Sequence, residues 1–146
     1  MSGLAALLAG RRPPGVYRWS SPAAVADVRH AVEHAGWQCV ALDTWTVDDK
    51  AGFLAAVQSA FGFPDWFGRN WDALADNLSD VQHEKGTVVV WDGWSPLARA
   101  QPPGFAVAVD ILTQRAGSRR GGAFAVLLRG DGPSIEVPDL DPHGPA

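Results

Sequence analysis

Three short apolar runs constrain the fold of this chain more than any other feature. They occupy residues 39–42, 87–91 and 123–128 and read CVAL, TVVVW and AFAVLL. Continuous apolar runs of this length are typical of strands buried on both faces of a parallel sheet. Segments with the apolar spacing of helices separate the runs. The pattern predicts an α/β domain, with a small parallel sheet of three strands covered by helices.

The residues before this pattern are expected to form an N-terminal extension. Residues 1–35 should pack on the domain as a short helix, a proline-rich linker, a strand and a second helix. Residues 16–19 alternate in polarity and are a candidate fourth strand at the sheet edge. Ser21 and Pro22 are suited to the start of the second helix, as cap and first residue. Gly36 is suited to its end.

The domain itself is predicted to span residues 36–129. Within it, Thr46 and Asp48 are candidate caps for the helix that follows the first apolar run. Residues 130–146 are rich in proline, glycine and aspartate. We expect them to form a flexible, loosely attached tail.

A bend in the chain at residues 62–68 carries two neighbouring aromatic residues, Trp66 and Phe67. Glycine and proline shape the bend. One of the two aromatic side chains is expected to fold back onto the core. Trp66 is the expected exposed anchor, because aromatic side chains are enriched at the energetic centres of protein interfaces.

A helix predicted to start at Asn70 follows the bend. At about 100° per residue, its apolar positions fall on one arc expected to face the core: Trp71, Leu74, Ala75 and Leu78. Three aspartates at spacing four lie roughly opposite: Asp72, Asp76 and Asp80. Like charges at this spacing repel by about 0.2–0.5 kcal/mol per pair, and the helix dipole disfavours an acid near the C-terminal end. A solvated helix face and a binding surface both fit this pattern, and the repulsion favours the second.

Residues 63–78, FPDWFGRNWDALADNL, resemble the signature of the barstar family. The family pattern is roughly Pro-acidic-aromatic-aromatic-Gly-x-Asn-x-Asp-Ala-Leu-x-Asp-x-Leu, and the stretch fits each specified position. A weaker resemblance in the order of elements extends from about residue 38 to residue 128. The resemblance implies a small parallel three-stranded sheet covered by helices. It also implies an intracellular inhibitor of a secreted ribonuclease, an immunity protein or antitoxin that is not an enzyme and needs no cofactor or metal.

The resemblance also implies roles for individual residues. Asp76 matches the aspartate that mimics an RNA phosphate, and Asp72 matches a second interface aspartate. Trp66 matches an aromatic residue that stacks against the active site of the ribonuclease, while Gly68 and Asn70 match the loop that places these groups. Asp80 is a candidate because of its place on the helix rather than by resemblance. The residues predicted to bind the partner are Trp66, Phe67, Gly68, Asn70, Asp72, Ala75, Asp76, Ser79 and Asp80.

The chain departs from the family pattern at three places. Ala75 and Val81 stand where the type member has tryptophan. No acidic residue lies between Asp110 and Asp131, the region where the last helix of the type member carries an interface glutamate. These departures favour a cognate ribonuclease other than barnase.

Composition narrows the classes of partner. A net charge of −4 argues against a nucleic-acid binder and suits a basic protein partner. The single cysteine, Cys39, cannot form an internal disulfide and fits a reducing cytosol. No run approaches the ~18 apolar residues of a membrane span. We therefore expect a cytoplasmic monomer that forms a 1:1 complex with a basic, extracellular-type ribonuclease, without contact to membrane or nucleic acid.

Three alternatives remain open at this stage. One is an interaction module with this fold and a partner that is not a ribonuclease. Another is a small acid–base hydrolase; its candidate residues are Asp72, Asp76, His83 and Glu84. The third is a carbohydrate-binding module; its candidate sugar platforms are Trp66, Trp91 and Trp94. His30 and His34 have zinc-compatible spacing, but no further ligand lies nearby in the sequence.

Overall fold

A computed structural model describes residues 2–118 and 120–141, and its centre is one parallel sheet. The strands are β1 (Val16–Arg18), β2 (Gln38–Asp43), β3 (Gly86–Asp92) and β4 (Ala123–Arg129). Their spatial order is β1-β4-β3-β2, and all three pairings are parallel. The predicted α/β class is confirmed, and the candidate N-terminal strand is the fourth strand, at the edge beside β4.

In the described part of the chain, six helices cover the sheet: α1 (Gly3–Leu8), α2 (Val25–His34), α3 (Lys50–Phe61), α4 (Trp71–Ser79), α5 (Ser95–Ala100) and α6 (Pro102–Gly117). Successive residues of a strand point to opposite faces, so each strand contributes to two cores. Val88 and Val90 pack with side chains of α1 and α2. Val89 and Trp91 pack with side chains of α3 to α6. None of the helices described here is both long and apolar enough to cross a membrane.

Two helix starts differ from the sequence-based expectation. Helix α2 begins after Ala24 rather than at Ser21 and Pro22. The carbonyl oxygens of Ser21 and Ala23 accept hydrogen bonds from the guanidinium of Arg129, which fixes residues 21–23 outside the helix. Helix α3 is capped by Asp49, whose carboxylate accepts a hydrogen bond from the Gly52 N–H at 2.7 Å.

The expectation of a loosely attached tail is wrong for residues 130–141. Leu140 is buried in the core beneath α1. The N–H of Leu140 donates to the carbonyl of Arg18, and the Arg18 N–H donates to the carbonyl of Pro138, both at 2.8 Å. The carboxylate of Asp141 accepts from the Trp19 indole. The polar composition of the segment hid its few apolar anchors. Residues 142–146 of the predicted tail lie outside the described residues.

Candidate functional site

The two aromatic residues of the bend have opposite environments. Trp66 is 79% exposed, whereas Phe67 is only 4% exposed. The Phe67 ring lies 5.3 Å from that of Phe63, which in turn stacks on Phe61 at 5.1 Å. The expectation that one aromatic folds back is confirmed. The Phe67 side chain supports the bend from below, and its contact with a partner stays a prediction.

Side-chain hydrogen bonds hold the bend against α3. The amide nitrogen of Gln58 donates to the Pro64 carbonyl at 3.0 Å, and the amide oxygen accepts from Arg69 Nε at 2.9 Å. Arg69 has φ = 48°, the left-handed backbone that costs about 1–2 kcal/mol for a residue with a side chain. This strained turn redirects the chain from the bend into α4, so the two parts of the site are rigidly joined.

Asn70 starts α4, as predicted. Its backbone is extended, and its side-chain oxygen accepts a hydrogen bond from the Ala73 N–H at 2.8 Å. Its amide nitrogen lies 3.3 Å from the Gly68 carbonyl, to which it donates. A Cβ on Gly68 would lie only 3.0 Å from that nitrogen. Glycine therefore leaves room for a side chain that caps the helix and holds the bend together.

Asn70→Ala should lower the free energy of unfolding by about 1 kcal/mol, because the helix loses its cap. Asn70→Asp should lower the free energy of unfolding by clearly less, since a carboxylate oxygen still accepts a hydrogen bond from the Ala73 N–H. Urea denaturation of the two variants and the parent chain measures both values. Equal losses would mean that the bond to Gly68, rather than the cap, accounts for the stabilisation.

Helix α4 divides into a buried and an exposed face. Leu74 and Leu78 are buried, and Trp71 is half-buried with its ring centroid 6.1 Å from that of Phe53. Ala75 is exposed, so its expected place in the core is wrong. The buried arc is centred on the two leucines and extends towards the half-buried Asn77, on the side away from Ala75. Ala75 instead belongs to the outer surface of the helix.

Asp72 and Asp76 of α4 face solvent, and so does Asp80, the residue that follows the last turn of the helix. Over residues 2–118 and 120–141, the single side-chain ion pair joins Arg129 to Asp92, so none of the three carboxylates is neutralised there. Ser79 is also exposed, and its hydroxyl donates to the carbonyl of Asp76 at 2.6 Å. Within the part of the chain that the structure describes, the outer face of α4 is thus an acidic stripe that no ion pair compensates, and Asp80 at its end lines the same cavity as Trp66.

A buried arginine beneath the end of α4 was missed by the sequence analysis. Arg115 Nε donates to the Leu78 carbonyl at 2.9 Å, and a terminal nitrogen donates to the Val81 carbonyl at 2.8 Å. The guanidinium carbon lies 4.8 Å from the centroid of the Phe124 ring. Burial lowers the pKa of Arg115 from its ordinary value. Its position in the apolar stripe of α6, after Leu112, is the sequence signal that could have identified it.

Arg115 compensates the C-terminal end of α4. The last carbonyls of a helix lack partners within the helix and carry partial negative charge. The buried cation satisfies the Leu78 carbonyl of the helix and the Val81 carbonyl just beyond it, and its charge is favourable at this end of the helix dipole. The end of the acidic stripe is therefore held in place from the core side.

The geometry argues against two alternative sites, the sugar-binding tryptophans and the zinc-binding histidine pair. Trp91 and Trp94 are fully buried, so neither can stack on a sugar ring. His30 and His34 stack on each other with ring centroids 6.1 Å apart. Among the residues that the structure describes, no group of three or more His, Cys, Asp or Glu is arranged to hold a metal ion.

A comparison with known protein families gives a match to most of this fold. A family model described as Barstar (barnase inhibitor) matches residues 37–129. The matched segment runs from just before β2 to the end of β4 and includes the bend and the whole of α4. No curated protein is significantly similar to the chain.

Proposed function

The chain belongs to the barstar family, and from this premise we propose that it inhibits a secreted, basic ribonuclease. In this proposal α4 and Trp66 cover the active site of the ribonuclease in a 1:1 complex. The protein acts as a binder rather than an enzyme, in the cytoplasm, as an immunity protein. The observation that carries the proposal is the acidic stripe of α4, which no ion pair compensates among the described residues, next to the exposed Trp66.

The chemistry of the stripe suits an enzyme that binds RNA. Ribonucleases hold phosphates with arginine, lysine and histidine side chains. A carboxylate on a rigid helix can take the place of a phosphate, because each carboxylate accepts two charge-assisted hydrogen bonds from one arginine. From Asp72 to Asp80 the stripe extends about 12 Å along the helix, at about 1.5 Å per residue. It can therefore meet several basic groups at once.

Rigidity supports the same proposal. The bend is fixed by Gln58, the start of α4 by Asn70 and its end by Arg115. Binding groups that are already ordered lose less conformational entropy when a partner binds. The repulsion within the stripe, about 0.2–0.5 kcal/mol per pair, is also relieved when basic groups of the partner approach.

The proposal is tested by calorimetric titration against a panel of basic microbial ribonucleases that includes barnase. We expect 1:1 binding to at least one of them, loss of its RNA hydrolysis, and weaker binding when salt is raised from 0.05 to roughly 0.3 M. Salt screens interactions between exposed charges beyond about 10 Å at 0.1 M.

Two outcomes are informative in opposite ways. Binding to another ribonuclease but not to barnase would assign the departures at Ala75 and Val81 to specificity. Failure to bind any ribonuclease, or RNA hydrolysis by the purified protein alone, would contradict the proposal.

A further inference from the structure

A small cavity lies between the bend and the end of α4. Its volume is about 350 Å³, near the lower limit for ligand sites and large enough for one long side chain. On the side of the bend it is lined by Phe63, Pro64 and Trp66. On the side of the helix it is lined by Asn77, Asp80 and Val81. We refer to it as the Trp66–Asp80 pocket.

The lining combines apolar surface with a single negative charge. Asp80 is the charged residue among those that line the pocket. The rings of Phe63 and Trp66 and the side chain of Val81 supply apolar and aromatic surface. A ligand that fits this lining needs a long apolar part and a positively charged end, as in the side chains of arginine and lysine.

Both walls of the pocket are fixed before any ligand enters. The Pro64 carbonyl is held by Gln58 at 3.0 Å. The Val81 carbonyl is held by Arg115 at 2.8 Å. The N–H of Asp80 donates to the Asn77 carbonyl at 3.2 Å, which places the carboxylate at the end of the helix. A preformed pocket of this kind selects the shape and charge of its occupant.

We propose that the Trp66–Asp80 pocket receives one arginine side chain of the partner protein. The planar guanidinium stacks on the exposed face of Trp66 and pairs with Asp80, while the methylene groups pack on Phe63 and Val81. Arginine suits the pocket better than lysine, because its flat group stacks on aromatic rings and forms two parallel hydrogen bonds with a carboxylate.

This inference rests on the proposed function only for the source of the arginine, which would be the ribonuclease. Asp80 lies beyond the residues that match the family signature, one helical turn after Asp76. A ribonuclease without an arginine at this position would leave Asp80 without a partner in the interface. The pocket would therefore discriminate among basic ribonucleases that all engage Asp72 and Asp76.

The pocket can be tested without any ribonuclease. The full-length, 15N-labelled chain is titrated with the capped peptide acetyl-Gly-Arg-Gly-amide and followed by NMR. We expect saturable shifts of the Trp66 indole N–H and the Asp80 and Val81 amides in the millimolar range. Asp80→Asn should weaken binding at least fivefold. Asp72→Asn makes the same change of charge two turns away on the same helix and should weaken binding less than twofold.

Three results would overturn the proposal: no saturable shift at Trp66, equal weakening by both asparagine variants, or equal binding of a peptide with norleucine in place of arginine. The first result would mean that the Trp66–Asp80 pocket is not a binding site. The second would mean that only the net charge of the protein matters for peptide binding. The third would mean that the pocket binds apolar side chains without selecting a positive charge. The outcome is separable from that of the proposed function. Peptide binding without inhibition of any ribonuclease would contradict the proposed function alone, and inhibition without peptide binding would contradict the pocket alone.

Discussion

Asp76→Ala is expected to weaken binding of the ribonuclease at least 30-fold, equivalent to about 2 kcal/mol, the threshold of an interface hot spot. Asp76 lies in the middle of the exposed stripe, one turn from each of the other two aspartates. In the proposed complex it meets the basic centre of the active site. Its removal leaves buried cations of the enzyme without a partner, and that penalty adds to the lost hydrogen bonds.

The same substitution should not destabilise the isolated protein. Asp76 is exposed and takes part in no ion pair within the described residues. Alanine is a better helix former than aspartate, and its introduction removes two repulsive i,i+4 pairs. The free energy of unfolding should therefore rise by about 0.5–1 kcal/mol. Opposite signs for binding and stability are the expected mark of a residue retained for function.

Calorimetry with an inhibited ribonuclease and urea denaturation measure the two effects. Asp27→Ala is the matched control, because it removes the same charge from α2, on the opposite face of the sheet. It should weaken binding less than threefold. If Asp27→Ala weakened ribonuclease binding as much as Asp76→Ala, the net charge of the protein would account for binding. If Asp76→Ala unfolded the protein, the description of an exposed stripe would be wrong.

Periodicity was sufficient to predict the sheet and the acidic face. The three apolar runs are adjacent parallel strands, and helices bury both of their faces. Asp72 and Asp76 lie opposite Leu74 on the helix, so their exposure follows from helical geometry alone. Ala75 was misplaced because its position is on the boundary of the buried arc, where a small side chain gives no signal.

Interactions between distant segments could not be predicted in this way. Arg129 holds residues 21–23 out of α2, and Arg115 of α6 holds the end of α4. Leu140 anchors a segment whose average composition is that of a flexible tail. In each case the pair in contact consists of one residue and a segment that is remote in sequence. Local propensity and hydrophobic period contain no information about such pairs.

The other large expected effect concerns the N-terminal extension. Deletion of residues 1–35 should abolish cooperative folding, although the family match begins only at residue 37. One face of the sheet is covered by the extension together with Leu140. The buried residues on that face include Cys39, Val88, Val90, Ala125 and Leu127. Without the extension, this apolar face would be exposed to water and to other copies of the chain.

The size of the expected loss of stability follows from the apolar side chains that the extension buries. The deleted segment contributes seven buried apolar side chains, and each stabilises a fold by about 1.5–3 kcal/mol. The sum is comparable to the whole stability of a domain, about 5–15 kcal/mol. The truncated chain should lose its cooperative urea transition and elute as aggregate in size-exclusion chromatography. A monomer with a sharp transition would show instead that residues 36–146 fold without the extension.

A pair of valines on α2 tests the same packing in a chain that still folds. Val32 is fully buried, whereas Val25 is 39% exposed. Val32→Ala should lower the free energy of unfolding by about 2–3 kcal/mol, because it removes two buried methyl groups and leaves a cavity. Val25→Ala should change it by less than about 0.5 kcal/mol. Equal effects would contradict the packing of α2 on the sheet. Because α2 and α4 cover opposite faces, Val32→Ala should leave ribonuclease affinity within about twofold, which separates the residues that support the fold from those that bind the partner.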